Sequence, residues 1–175
     1  MKPIKSLDDA THKVLKEARQ LLDSLRRHIK TEPITVAEAI FTLSAIRQEV
    51  YEDLNQLQHE YLILAAAQWL RENDFITEEH ELYWNPRQTG DDTEPDLAAR
   101  QNGSPVVSAE ITASKSPKGT IDTRMAKTLA KLNTMEGIKF YFVATEEMYQ
   151  RAATKIGKAK YMIRVVKLQN EATQL

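Results

Sequence analysis

The sequence contains no cysteine and only 5 glycines among its 175 residues. Without cysteine there can be no disulfide bond, thiol nucleophile, zinc–cysteine cluster or iron–sulfur site. No apolar run approaches the roughly 20 residues that a membrane-spanning helix needs. Residues 1–8 also lack the apolar stretch of a signal peptide. We therefore expect a cytoplasmic protein without membrane association.

The net charge of −1 is the sum of regions with unlike charge. Residues 1–59 carry 9 basic and 9 acidic side chains, residues 60–99 carry 2 and 10, and residues 100–175 carry 13 and 6. A basic region indicates a polyanionic partner better than the total charge does. Chance clustering of solvated helix and strand faces would give the same counts, so charge alone does not decide between the two.

The first third of the chain has a helical pattern. Apolar residues recur every three or four positions from Val14 to Ile29, and residues 31–33 interrupt them. Thr35 and Glu38 then have the spacing of a capping box, and no Gly or Pro follows before Asn73. These features predict an αα-hairpin whose second arm is one long helix or two helices end to end. Its apolar stripe can form intramolecular core or a homodimer interface.

The rest of the chain alternates strands and helices. Asn102-Gly103 is a strong hairpin-turn signal, and Phe140 to Val143 reads as a strand apolar on both faces and therefore central. An α/β fold is predicted, with strands over 75–84, 96–100, 106–114, 139–144 and 161–168, helices over 121–135 and 146–156, a loop over 85–94, and a frayed tail from 169.

Two carboxylates are predicted to meet on the hairpin. Alternation along 106–114 places Glu110 on the same face as Ser108 and Thr112. Asp96 begins the partner strand, because Pro95 favours a strand edge. Neighbouring carboxylates repel unless a cation joins them. Oxygen ligands without cysteine favour Mg²⁺ or Mn²⁺ as that cation.

Glu94-Pro95-Asp96, a hairpin and then Ala109-Glu110-Ile111-Thr112 resemble the PD-(D/E)XK signature of the restriction-endonuclease-like nuclease superfamily. The likeness covers about residues 58–168, including a preceding helix with an acidic residue and a following helix and strand. It implies a restriction-endonuclease-like mixed central sheet flanked by helices over residues 58–175. Residues 1–57 would form a separate N-terminal helical hairpin that can dimerise.

The resemblance implies that Asp96 and Glu110 bind the metal and that Glu60 contributes to it, as the helix carboxylate does in a subset of the family. The family's catalytic lysine stands two residues after the glutamate, where this chain has Thr112. A neutral hydroxyl cannot supply a positive charge. Among the lysines that could replace it, we favour one on the next helix, because a helix holds it more rigidly; the candidates are Lys115, Lys118 and the favoured Lys127.

The implied activity is Mg²⁺- or Mn²⁺-dependent hydrolysis of double-stranded DNA, by a type II restriction enzyme or another defence or mobile-element nuclease acting as a homodimer. The residues expected to contact phosphates are Lys115, Lys118, Arg124 and Lys131. Two alternatives stay open. The chain could be a catalytically inactive nuclease-fold protein that binds DNA or assembles with other subunits, or a helical oligomerisation protein. The four histidines are read as surface or cap residues.

Overall fold

The computed structural model describes residues 1–29, 33–86 and 93–168. Over these residues the protein is α/β, with a six-stranded mixed sheet flanked by four helices. The helices are α1 (Leu7–His28), α2 (Val36–Glu72), α3 (Thr120–Asn133) and α4 (Glu146–Ala159). The strands are β1 (Lys2–Ile4), β2 (Glu81–Trp84), β3 (Leu97–Gln101), β4 (Ser104–Thr112), β5 (Ile138–Val143) and β6 (Ile163–Lys167).

The predicted helical hairpin is confirmed, and its second arm is one helix. The 37 residues of α2 would extend about 55 Å at 1.5 Å per residue. The predicted capping box of Thr35 and Glu38 opens the helix. Lys13 contacts Glu60, and Ser24 contacts Glu49 nearer the far end, so α1 and α2 run antiparallel.

The strands lie side by side in chain order. β1 to β4 are antiparallel to their neighbours, whereas β5 and β6 continue the sheet in parallel with β4. The predicted central position of the Phe140–Val143 strand is confirmed, because β5 lies between β4 and β6 and is buried from Phe140 onward. A parallel pair needs a crossover, and α3 and α4 supply the two crossovers.

Each face of the sheet has its own apolar core. One core joins the sheet to the start of α1 and the second half of α2, and includes Leu7, Val14, Leu70 and Phe142. The other lies under α3 and α4 and includes Met125 and Met148. The first half of α2 extends past the sheet, and several of its apolar side chains are exposed there: Val36, Ile40, Leu43 and Leu54.

Three local predictions are wrong. A strand forms only over Glu81–Trp84, not from Phe75, because Asp74 adopts a left-handed conformation that ends α2. The amide of Phe75 then donates to the Leu70 carbonyl instead of a sheet partner. Gly157 does not end α4, which continues to Ala159 before the left-handed Lys160 closes it. β1 was missed, because a three-residue strand has no readable period.

Some predictions concern residues outside the described part of the chain. These are most of the interruption at 31–33, most of the loop at 85–94 and the tail from 169. The predicted domain boundary between residues 57 and 58 falls inside α2, and a separate unit over 1–57 stays a prediction. Among the described residues, no helix combines the length and apolarity that crossing a membrane requires.

Candidate active site

The turn between β3 and β4 sets the geometry of the site. Asn102 and Gly103 both have positive φ, 51° and 79°, as a two-residue type I′ turn requires. Beside this turn Gln101 lies opposite Ser104, and a register shift between Ala99 and Arg100 then brings Leu97 opposite Ala109. One step further from the turn, Asp96 comes opposite Glu110. The structure thus brings together the two carboxylates that the sequence singled out.

Asp96 is buried and held by hydrogen bonding. Its Oδ2 accepts a hydrogen bond from the Ile111 amide at 2.8 Å, so the carboxylate ties the entry of β3 to the end of β4. The Nε2 atom of His59, on α2, lies 3.4 Å from the same oxygen. Asp96 is therefore contacted from both the sheet and the long helix.

Glu110 is buried on β4 and contacts a lysine of α3. The Lys131 Nζ atom lies 2.5 Å from Glu110 Oε1, with the glutamate side chain only 7% exposed. The same ammonium donates to the Glu94 carbonyl oxygen at 3.2 Å. Lys131 therefore links the two strands of the hairpin at their carboxylate-bearing ends.

The two carboxylates influence each other electrostatically. Burial, together with the negative charge of Asp96, raises the pKa of Glu110 to about 7. Lys131 and His59 lower that pKa but do not restore the ordinary value of 4.5. Near neutral pH, Glu110 is therefore poised to lose its proton when a cation stabilises the negative charge.

His59 titrates in the same cluster. Burial lowers the pKa of His59, whereas the close contact with Asp96 and its negative charge raise that pKa. The Ile111 backbone and Glu110 act in the same direction, and the net shift is upward. A protonated His59 partly balances the charge of Asp96.

Glu60, predicted as a third metal ligand, faces a different neighbour. Its side chain is fully buried and its Oε2 pairs with Lys13 Nζ of α1 at 3.0 Å. Adjacent residues on a helix point about 100° apart, so His59 reaches the hairpin while Glu60 contacts α1. Among the described residues, no group of three or more His, Cys, Asp and Glu side chains could hold a metal ion.

Thr112 lies on the same face of β4 as Glu110 and lines a cavity beside it. Its hydroxyl accepts a hydrogen bond from the Ser114 amide at 3.2 Å. Tyr141 of β5 lies against Thr112, and burial and the Glu110 charge raise the pKa of this tyrosine. Thr112 therefore lies beside Glu110, where the resemblance would have a lysine, and its hydroxyl makes a polar contact there.

The predicted basic residues belong to the loop after β4 and to α3. Lys115, Lys118 and Lys127 are exposed, and Arg124 is exposed at the cavity. Lys131, predicted only as a phosphate contact, is the lysine that touches Glu110. The structure therefore puts the ammonium four residues, or about one helical turn, beyond the favoured Lys127.

Two functional contacts were missed from the sequence. The role of Lys131 depends on how α3 is rotated against β4, which no local pattern fixes. The prediction that His59 is a surface or cap residue is wrong, because its side chain is only 13% exposed and contacts Asp96 from within α2. The sequence carried a weak signal for this contact. Together with Asn55 and Gln56, His59 forms a polar stripe at helical spacing on α2.

Comparison with known proteins gives no relative from which residue roles could be transferred. A scan against family models, a search of curated proteins and a search of solved structures found no match. The chemistry of the site therefore rests on its own geometry. It consists of two buried carboxylates, an ammonium group, an imidazole and an adjoining cavity.

The raised pKa of Glu110 predicts a pH-dependent stability. The folded state holds the proton up to about pH 7, whereas the unfolded chain loses it near 4.5. The stabilisation that this proton gives to the folded state is present below pH 4.5 and is lost as pH rises toward 7. The unfolding free energy of the wild type should fall by about 1–3 kcal/mol between pH 5 and 7.5, whereas that of Glu110→Gln should not. Urea denaturation in the presence of a chelator measures both.

Glu146→Gln is the matched control, since Glu146 is an exposed glutamate whose pKa is lowered by Lys167. It should leave the pH dependence between 5 and 7.5 as in the wild type. Identical pH dependence for the wild type and Glu110→Gln would contradict the assigned shift.

Proposed function

We propose that this protein is a Mg²⁺- or Mn²⁺-dependent endonuclease that hydrolyses DNA phosphodiester bonds. The observation that carries the proposal is the pairing of Asp96 and Glu110 on one hairpin, both buried, with the Lys131 ammonium against Glu110. Buried carboxylates at close quarters are unfavourable in a purely structural role. They are what a hard divalent cation requires.

The order of elements also supports the restriction-endonuclease-like arrangement. A long helix precedes a three-strand antiparallel meander, and a crossover helix then leads to a strand parallel to the last of these. Pro95-Asp96 leads into β3 and Glu110 lies inside β4, and this placement supports the proposed signature.

The donor set fits a magnesium-type ion. Mg²⁺ is commonly held by one or two carboxylates, with waters and substrate phosphate completing its shell, and Asp96 and Glu110 supply two. The raised pKa of Glu110 means that this pair favours added positive charge. When bound, the ion would activate a water and stabilise the negative charge that grows on the phosphate.

Lys131 takes the place of the missing motif lysine in this proposal. It reaches Glu110 from α3 rather than from the position of Thr112, so it puts a positive charge beside the same carboxylate. There it would hold the attacking water and stabilise the phosphate oxygens. Glu60 is left out of the metal ligands, because its carboxylate pairs with Lys13.

The exposed basic residues near the cavity would bind the DNA backbone. Lys115 and Lys118 in the loop, with Arg124 on α3, provide positive charge on adjoining elements. Such contacts position a duplex without reading its sequence. A restriction, defence or mobile-element role would then be decided by whether the cut ends share a sequence.

The hairpin supports the proposed homodimer. Exposed apolar residues recur every seven positions on α1, at Leu15, Leu22 and Ile29, and Ile40 and Leu43 are exposed on α2. Apolar side chains at heptad spacing on two antiparallel helices can pack against a second hairpin as a four-helix bundle. A dimer would let two sites cut both strands.

A second candidate is a catalytically inactive protein of the same fold that binds DNA. It is favoured by the neutral Thr112 at the lysine position and by the engagement of Lys131 with Glu110 and the Glu94 carbonyl. Salt-sensitive DNA binding without cleavage would support this candidate.

Removal of either carboxylate should abolish cleavage. We expect Asp96→Asn and Glu110→Gln each to lower plasmid cleavage with Mg²⁺ or Mn²⁺ by about 100-fold or more, because each removes a metal ligand. Glu146→Gln should cleave like the wild type, and chelator should stop all cleavage. Absence of metal-dependent cleavage by the wild type, or unchanged cleavage by both variants, would sink the endonuclease proposal.

Separate substitution of the two lysines on α3 tests which of them supplies the ammonium group of the site. Lys131→Met should reduce cleavage by about 100-fold through loss of electrostatic stabilisation, while Lys127→Met should stay within a few-fold of the wild type. The two residues are matched in type and helix. If Lys127→Met is inactive and Lys131→Met is active, the sequence-based choice of Lys127 was correct.

Acidic substitutions among the exposed apolar residues of α2 should dissociate the dimer. We expect sedimentation equilibrium to give a dimer for the wild type and a monomer for the double variant Ile40→Glu, Leu43→Glu, because buried charge is strongly unfavourable. Gln48→Glu, also exposed on α2, adds charge without removing an apolar group and serves as control. A wild type that is monomeric at every concentration would refute this interface.

A further inference from the structure

A cavity of about 480 Å³ adjoins Glu110, between the middle of α2, the end of β4 and the start of α3. Its volume lies within the range typical of small-molecule sites. Buried apolar and aromatic side chains of the core under α3 and α4 form part of its wall, namely Met125, Tyr141 and Met148. Such a wall packs well against one face of a flat heterocycle.

The opposite side of the cavity carries hydrogen-bonding groups from α2. Asn55 and Gln56 line it, and each side-chain amide offers both donors and an acceptor. The Nε2 atom of Gln56 is buried and has no hydrogen-bond partner among the described residues. A buried donor of this kind is unfavourable until an acceptor reaches it, so Gln56, which lines the cavity, is a candidate recognition group.

Two further groups at the cavity indicate what else the ligand carries. Tyr51 contributes an aromatic ring that is 62% exposed, on the same helix as the amides. Arg124 lines the cavity from α3 and adds a permanent positive charge. Together with the apolar wall, these groups suit a planar ring that has a hydrogen-bonding edge and is joined to an anion.

We propose that this cavity binds one unpaired nucleobase of the nucleic acid whose phosphate lies at the Asp96–Glu110 pair. The apolar wall would pack on the base, Asn55 and Gln56 would bind its edge, and Arg124 would contact the attached phosphate. The base must be single-stranded or rotated out of the helix, since a paired base is stacked on both sides and its edge is occupied. This inference rests on the proposed function and assigns a substrate-selecting role to α2.

The test compares two single-stranded oligonucleotides of equal length and phosphate number, one with bases and one fully abasic. Binding is followed by fluorescence anisotropy in chelator, so that no strand is cut. The wild type should bind the strand with bases about tenfold more tightly, a factor in the range of stacking and edge contacts to one base. Gln56→Ala should lose most of that preference.

Gln68→Ala is the matched control, because Gln68 is an exposed glutamine of α2 whose amide bonds Glu72 away from the cavity. It should keep the wild-type preference, and circular dichroism should show all variants folded. Equal affinity of the wild type for both strands, no binding of either strand, or equal preference in Gln56→Ala and Gln68→Ala would overturn the base site.

The base site and the endonuclease can fail separately. Cleavage that requires Asp96 and Glu110, without preference for bases over the abasic strand, would overturn the base site alone. A base preference that depends on Gln56, in a protein without metal-dependent cleavage, would support the base site and exclude only the endonuclease.

Discussion

The burial of two facing carboxylates on one β-hairpin is the constraint on which the candidate site depends. Asp96 and Glu110 are each less than about a tenth exposed, and the charge of Asp96 helps to raise the pKa of Glu110. Contacts from neighbouring elements offset part of the free-energy cost of burying these two carboxylates. The Ile111 amide and His59 contact Asp96, while Lys131 contacts Glu110.

These contacts come from helices that cover opposite faces of the sheet. His59 comes from the middle of a helix that otherwise packs on one sheet face, and Lys131 comes from the helix covering the other. A buried ion pair contributes less to stability than apolar packing of the same volume. The compensation here is incomplete, since the pKa of Glu110 stays near 7. The cluster is therefore not an arrangement that maximises stability.

The sequence predicted what depends on local rules. Asn102-Gly103 encodes its turn through positive φ, so a hairpin that brings Asp96 near Glu110 could be predicted without a structure. The register shift between Ala99 and Arg100, which places Asp96 opposite Glu110, could not be predicted, because no local pattern encodes it. Lys131 and His59 could not be found in this way, because their contacts depend on helix rotation. Glu60 was predicted as a metal ligand, and its neighbour His59 was not. Because adjacent helix residues point in different directions, Glu60 contacts α1 whereas His59 contacts the hairpin. Phe75 and Ile76 looked like strand residues, but the left-handed Asp74 turns them back onto α2.

The most direct test of the central claim is calorimetric titration of Mn²⁺ into the protein without nucleic acid, at pH 6 and pH 8. We predict one site per chain that is absent in Asp96→Asn and in Glu110→Gln, and that is weaker at pH 6 because the proton on Glu110 competes with the ion. Equal Mn²⁺ binding by the wild type and both variants would mean that the two buried carboxylates do not form a metal site, and would contradict the central claim.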